Sequence, residues 1–206
     1  MNRKLTDLIE EVSSQKEVIS QERIEELDAI ASIIVDHLNK ADLLNIIVVC
    51  THNSRRSQLG EAWINTLSSY FGIDNIVAYS GGMEETAFNS RMVNAMKECG
   101  FGIEEKVTGN NPKYILKGIE MNDHLMFSKV YGDSTNPQNG YLALMVCDHA
   151  DENCPVVIGM KYRIPLRYKD PKACDDTEKE EEAYVDKVKE IGSEMYYLLN
   201  KVILLS

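Results

Sequence analysis

The chain has 206 residues, 44% of them hydrophobic and 27% charged, and a formal net charge of -11 at pH 7. That length supports one well-buried domain plus an appendage rather than two full domains. The acidic balance excludes a general nucleic-acid binder, which needs a basic surface to neutralise phosphates. No apolar run approaches the ~18 residues of a membrane span, and the amino terminus reaches acidic residues before an apolar signal segment develops. No membrane partner and a cytoplasmic location are the expectations.

In chain order, residues 1–43 read as a helical extension. Ile24, Leu27, Ile30, Ala31, Ile34 and Leu38 recur at spacings of three and four with acidic residues between them. Ser20 is the expected cap of that helix, and "EEVSSQKEV" reads as a break after a shorter one. From Leu44 the pattern changes to strands alternating with helices. "LLNIIVV" is a buried strand, "SQLGEAWINTLSSYFG" a helix ending at Gly72, "NIVAYSGG" a second strand, and "NSRMVNAMKECG" a helix capped by Asn89 and stopped at Gly100. Residues 119–140 are polar and turn-rich without a period, and read as an insertion ending in the loop "STNPQNG". "YLALMVC" and "YRIPL" supply a third and a fourth strand, and a last helix follows Thr177 and Glu180, which have capping-box spacing. Strands separated by helices imply a parallel sheet covered on both faces, with ligands at the strands' carboxyl ends.

The first strand ends in Cys50. After five intervening residues come Arg56 and Ser57, and then a helix. A strand-loop-helix junction turns backbone N–H groups inward over a helix N-terminus, which suits a tetrahedral oxyanion. The helix dipole and Arg56 favour a thiolate at Cys50, Arg56 can bind two oxyanion edges, Asn53 can hold a left-handed turn, and Ser57 can donate to the sulfur. A buried structural thiol is the alternative for Cys50.

Four more cysteines, Cys99, Cys147, Cys154 and Cys174, are expected to be free, catalytic or metal-bound rather than a disulfide framework. Cys99 on its helix reads as a core thiol, and Cys174 is a candidate for a redox role. Cys147 and Cys154 bracket "DHADEN" after the third strand, and a thiol pair on a polar loop can exchange a disulfide with a nearby thiolate. A metal site with His149, or two incidental cysteines, are the other readings. Asp170, followed by Pro171, can serve as proton donor to a leaving oxygen or form a solvated turn.

"CTHNSRRSQLGEAW", "VAYSGGMEETAFNSRMVNAMKECGFGI", "MVCDHADENCP" and "DPKACDDTEKEEEAYVDKVKEI" occur in one order. Together they resemble the low-molecular-weight tyrosine phosphatase superfamily, and in particular its thioredoxin-coupled arsenate reductases, over most of residues 44–195. The resemblance implies a three-layer α/β/α domain over residues 44–206 with a four-stranded parallel, flavodoxin-like sheet. It also implies an oxyanion cradle of Thr51, His52, Asn53, Ser54, Arg55, Arg56 and Ser57. In the implied cycle Cys50 attacks arsenate, Asp170 protonates the departing oxygen, Cys147 releases arsenite, and Cys154 closes a disulfide with Cys147 for thioredoxin to reduce. A phosphatase acting through a Cys50 phosphocysteine is the second enzyme class, although Lys172, Ala173 and Cys174 supply no aromatic wall for a phenyl ring after Asp170. A non-catalytic oxyanion or metal module is a third.

This chain departs from the resembled pattern at His52, expected to be an exposed loop side chain, and at Arg55, expected to turn outward. Some relatives bind potassium beside the loop. Asn53 and Ser80 match that set, but "KVTGNNPK" lacks the expected aspartate, and no ion, resident metal or cofactor is expected.

Overall fold

The computed structural model describes residues 2–117, 124–153 and 159–206, with the backbone alone for 152 and 153. Cys154 and residues 119–123 of the expected insertion lie outside the described residues. Four strands, β1 (Leu44–Cys50), β2 (Ile76–Gly82), β6 (Tyr141–Met145) and β7 (Met160–Pro165), form a parallel sheet in the order β2-β1-β6-β7. The protein is therefore α/β, with a four-stranded parallel sheet flanked by helices, as the alternation of strands and helices predicts. Strand β1 has β2 on one side and β6 on the other, and six of its seven residues are buried. A strand covered on both faces reads as a continuous apolar run. The chain leaves β1 at a point where neighbouring connections diverge, the place where open α/β sheets bind ligands.

Helix α3 (Arg56–Phe71) follows the loop after Cys50 and stops at Gly72, whose φ of 69° is the left-handed conformation that ends helices. The last helix, α6 (Glu180–Leu205), packs against α3. A Cβ on Gly192 of α6 would lie 2.5 Å from the Trp63 ring, so only glycine lets the two helices approach. Trp63 Nε1 donates to the Val188 carbonyl at 2.8 Å and fixes the indole there.

Before β1 come α1 (Arg3–Ser14) and α2 (Gln21–Leu38), separated by a 3-10 turn over Gln15–Val18 where the break is expected. Ser20 caps α2 by accepting from the Arg23 N–H at 3.2 Å. Both helices pack on α6 and contribute Leu5, Leu8, Ile9, Val12, Leu27, Ile30, Ala31 and Ile34 to the same core as the sheet. Asn2 caps α1 and donates to the Gly100 carbonyl at 2.8 Å. Asn89 caps α4 (Ser90–Glu98), also as its sequence indicates.

One expectation fails, and one sheet was not foreseen. The capping box does not form: α6 begins at Glu180, whose carboxylate accepts from the Asp176 N–H, while Thr177 makes its own hydroxyl bond to the Cys174 carbonyl in the preceding turn. A second, antiparallel sheet of β3 (Gly102–Val107), β4 (Lys113–Lys117) and β5 (His124–Met126) has no counterpart in the sequence reading. Strand β3 exposes four of its six residues and carries an irregularity against β4, so no two-residue alternation marks it. The polar stretch after β5 is not a free loop either. Phe127, Ser128 and Lys129 are buried, and Gly82 and Val130 form a bridge alongside β2. The short helix α5 (Asp148–Asn153) follows β6. Among the described residues, no helix is long and apolar enough to cross a membrane.

Candidate functional site

Cys50 ends β1 with 4% of its surface exposed, and its Sγ lies 3.1 Å from the Ser57 hydroxyl. Ser57 Oγ accepts from Asn53 Nδ2 at 2.8 Å, which leaves the serine proton free to point at the sulfur. Asn53 is fully buried with a φ of 46°, the left-handed turn that asparagine tolerates. Its Oδ1 accepts from the Lys129 backbone N–H at 2.9 Å and from Gln58 Nε2 at 3.1 Å. The loop between strand and helix is thus held from behind by the segment that the sequence suggests is an insertion. Ser128 Oγ also donates to the His52 carbonyl at 3.0 Å, and Ser54 Oγ to the Ala87 carbonyl at 2.7 Å. Gly82 is required where β2 meets this loop, because a Cβ there would lie within 3 Å of the Glu84 and Thr51 carbonyls and the Asn53 nitrogen.

Helix α3 starts without a side-chain cap and with no acidic residue in its first turn, leaving its N-terminal partial positive charge uncompensated by its own sequence. Arg56, its first residue, donates from Nη1 to the Tyr168 carbonyl at 2.8 Å and from Nη2 to Asp170 Oδ2 at 2.7 Å. Its Nε is buried and has no hydrogen-bond partner among the described residues. Asp170 caps a 3-10 turn over Pro171–Cys174, accepting from the Lys172 N–H at 3.0 Å. The structure therefore brings Cys50, Ser57, Arg56 and Asp170 to the mouth of one loop. Thr51 Oγ1 lies 3.4 Å from Cys147 Sγ, and Cys147 is itself 3% exposed, two residues beyond the end of β6.

Arg55 is not turned outward. It is buried, donates from Nε to the Tyr184 hydroxyl at 2.8 Å, and pairs with Asp175 at 3.3 Å. The reason lies in α6, which offers a tyrosine and the preceding carboxylate as partners that only the fold brings near. Burial and the hydrogen bond to Asp175 push the Tyr184 hydroxyl up to about 12, so it remains a proton donor to that carboxylate. His52 is exposed as expected, with its ring 3.0 Å from Glu84.

One further group escaped the sequence reading. Glu61 of α3, one turn beyond Ser57, is fully buried with His124 of β5 at 2.7 Å. Burial pushes its carboxyl up, but the nearby Lys129 charge and the His124 hydrogen bond outweigh that and hold it below the ordinary glutamate range. The signal for it was Ser57, Glu61 and Asn65 at steps of four on a helix that the rest of the pattern buries. Among the described residues no group of three or more His, Cys, Asp or Glu side chains is placed to hold a metal ion.

Comparison with known proteins gives a consistent set of similarities. A sequence model of the low molecular weight phosphotyrosine protein phosphatase family matches residues 45–115. An arsenate reductase from Halalkalibacterium halodurans is 30% identical over 148 residues, 71% of this chain and 88% of that protein. An arsenate reductase from Bacillus subtilis is 30% identical over 151 residues, 73% of this chain and 91% of that protein. A solved arsenate reductase in a phosphate-binding state has the same fold, with a TM-score of 0.51 at 17% identity, covering 80% of this chain and 100% of that one.

Proposed function

This chain belongs to the low molecular weight phosphotyrosine protein phosphatase family and is an enzyme, and from that premise we propose that it reduces arsenate to arsenite in the cytoplasm. The observation that carries the reading is the junction itself: a thiol beside a serine hydroxyl, a helix start without a side-chain cap, and an arginine whose Nε has no partner among the described residues and whose Nη2 holds an aspartate. The Asp170 carboxylate occupies a position on Arg56 that one edge of a tetrahedral oxyanion would take.

The chemistry runs as follows. Attack by the Cys50 thiolate forms an S–As bond, and the departing oxygen leaves as water with a proton from Asp170. Cys147 then attacks the Cys50 sulfur. The electron pair of the S–As bond stays on arsenic, arsenite departs, and a Cys50–Cys147 disulfide remains. Cys154 attacks Cys147, frees the Cys50 thiolate, and leaves a Cys147–Cys154 disulfide that thioredoxin reduces. Supporting this reading are the names of the two relatives and the contact of Cys147 with Thr51, the residue directly after the nucleophile.

A phosphatase reading is favoured by the family description itself. In that case water, rather than Cys147, resolves the Cys50 intermediate. Arsenate-dependent NADPH consumption with thioredoxin and its reductase separates the two. The reductase loses this activity in Cys147→Ser and Cys154→Ser while keeping any hydrolysis of p-nitrophenyl phosphate, and mass spectrometry finds the Cys147–Cys154 disulfide after turnover. Indifference of every activity to both substitutions sinks the reductase. Residual activity in Cys50→Ser sinks both enzymes.

A further inference from the structure

We propose that Arg23 of α2, in the helical segment preceding β1, is a positioning residue for Asp170; this rests on the reading of Asp170 as the general acid. Arg23 is the point where α2 meets the segment between β7 and the 3-10 turn. Its Nη2 donates to the Arg167 carbonyl, its guanidinium lies over the Tyr168 ring with 5.2 Å to the centroid, and its Nε pairs with Glu194 of α6 at 3.2 Å. Nη1 binds Glu26 one turn along α2 at 2.6 Å, so the side chain is fixed by its own helix as well. Only 19% of it is exposed.

Tyr168 connects that clamp to the reacting centre. Its N–H donates to the Val146 carbonyl at 3.2 Å, beside the end of β6, and its carbonyl accepts from Arg56 Nη1 at 2.8 Å. Two residues later, Asp170 meets Nη2 of the same arginine. The ring under Arg23 and the backbone under Arg56 therefore belong to one residue, and a shift of the ring carries the acid with it. Glu194 adds a second constraint. Burial pushes its carboxyl up while the Tyr168 hydroxyl and the Arg23 charge oppose that, so removing the arginine leaves a buried carboxylate with one stabilising partner fewer and more reason to protonate. A lysine keeps the charge but cannot stack flat on the ring while reaching both the carbonyl and the carboxylate.

The test is a double-mutant cycle with Asp170→Asn, scored by kcat on arsenate or on p-nitrophenyl phosphate, whichever the protein turns over faster. Arg23→Ala lowers kcat about tenfold with KM nearly unchanged, at a temperature where circular dichroism shows it folded. In the Asp170→Asn background the same change costs less than about twofold, because the group it positions is already gone. Arg23→Lys falls between, and carries the same cycle if the alanine variant does not fold. Equal cost in both backgrounds, or no cost in either, overturns the inference and leaves the acid reading standing. An Asp170→Asn variant as active as the parent overturns the acid reading, and the inference with it.

Discussion

Arg56 Nη2 and Asp170 Oδ2 lie 2.7 Å apart, so the proposed acid sits on the proposed anion-binding arginine. The two roles compete. Asp170→Asn removes the proton donor, and kcat falls about 10²- to 10⁴-fold, the usual contribution of a positioned acid. The same change frees a charged fork, so inorganic phosphate becomes a tighter competitive inhibitor. Steady-state kinetics with phosphate titration reads both, and a weaker Ki in the variant would contradict the competition.

Ser57→Ala deletes the hydroxyl 3.1 Å from Cys50 and strands the Asn53 Nδ2 that donates to it. A hydrogen bond to a charged partner is worth about 1.5–3 kcal/mol. Alkylation of Cys50 by iodoacetamide at pH 7 and kcat both drop, by roughly tenfold to a hundredfold. A variant that keeps the parent's alkylation rate would show that the serine does not support the thiolate.

Glu61 offers a stability test with a definite sign. Its carboxyl is held below the ordinary range by Lys129 and His124, against burial. Its contribution is present above the unfolded value of about 4.3 and is lost as the pH falls through the depressed folded value. Lys129→Met removes the opposing charge and destabilises the fold at pH 7, since the buried carboxylate then keeps His124 but loses the lysine's charge. Glu61→Gln in the same chain recovers much of that. Urea unfolding of the two single variants and the double variant, at pH 7 and pH 5, checks it. The Lys129→Met deficit shrinks at the lower pH as Glu61 takes up a proton.

Cys99 is 8% exposed, and burial together with the neighbouring Glu98 charge pushes its thiol up to about 11. It stays unmodified by iodoacetamide at pH 8 in the native protein, whereas the half-exposed Cys174 is labelled. Peptide mapping by mass spectrometry distinguishes the two sites. Native labelling of Cys99 would mean that α4 opens readily.

What was legible in the sequence was local. The apolar run ending at Cys50, the caps Ser20 and Asn89, and the stops Gly72 and Gly100 each declare themselves within a few residues, and the four parallel strands follow from them. Arg55 failed because its partners, Tyr184 and Asp175, are more than a hundred positions away and nothing near Arg55 announces them. The second sheet failed because β3 is largely solvent-exposed and β5 has only three residues, too few for a period. Glu61 reads as an ordinary helix carboxylate until β5 brings His124 against it. Of the candidate site, the Cys50–Ser57 contact could be read from adjacent residues. The arrival of Asp170 at Arg56, 114 positions on, could be expected only from resemblance to a family.

The indole packed on Gly192 is also this protein's optical reporter. The chain has one tryptophan, and its indole is buried against that bare stretch of α6 on the helix that begins at Arg56. Any change in tryptophan emission therefore originates at a single interface, one end of which is the anion loop. An oxyanion that pulls on the start of α3 has a built-in lamp at the middle of the same helix, and unfolding has one as well, with no label added.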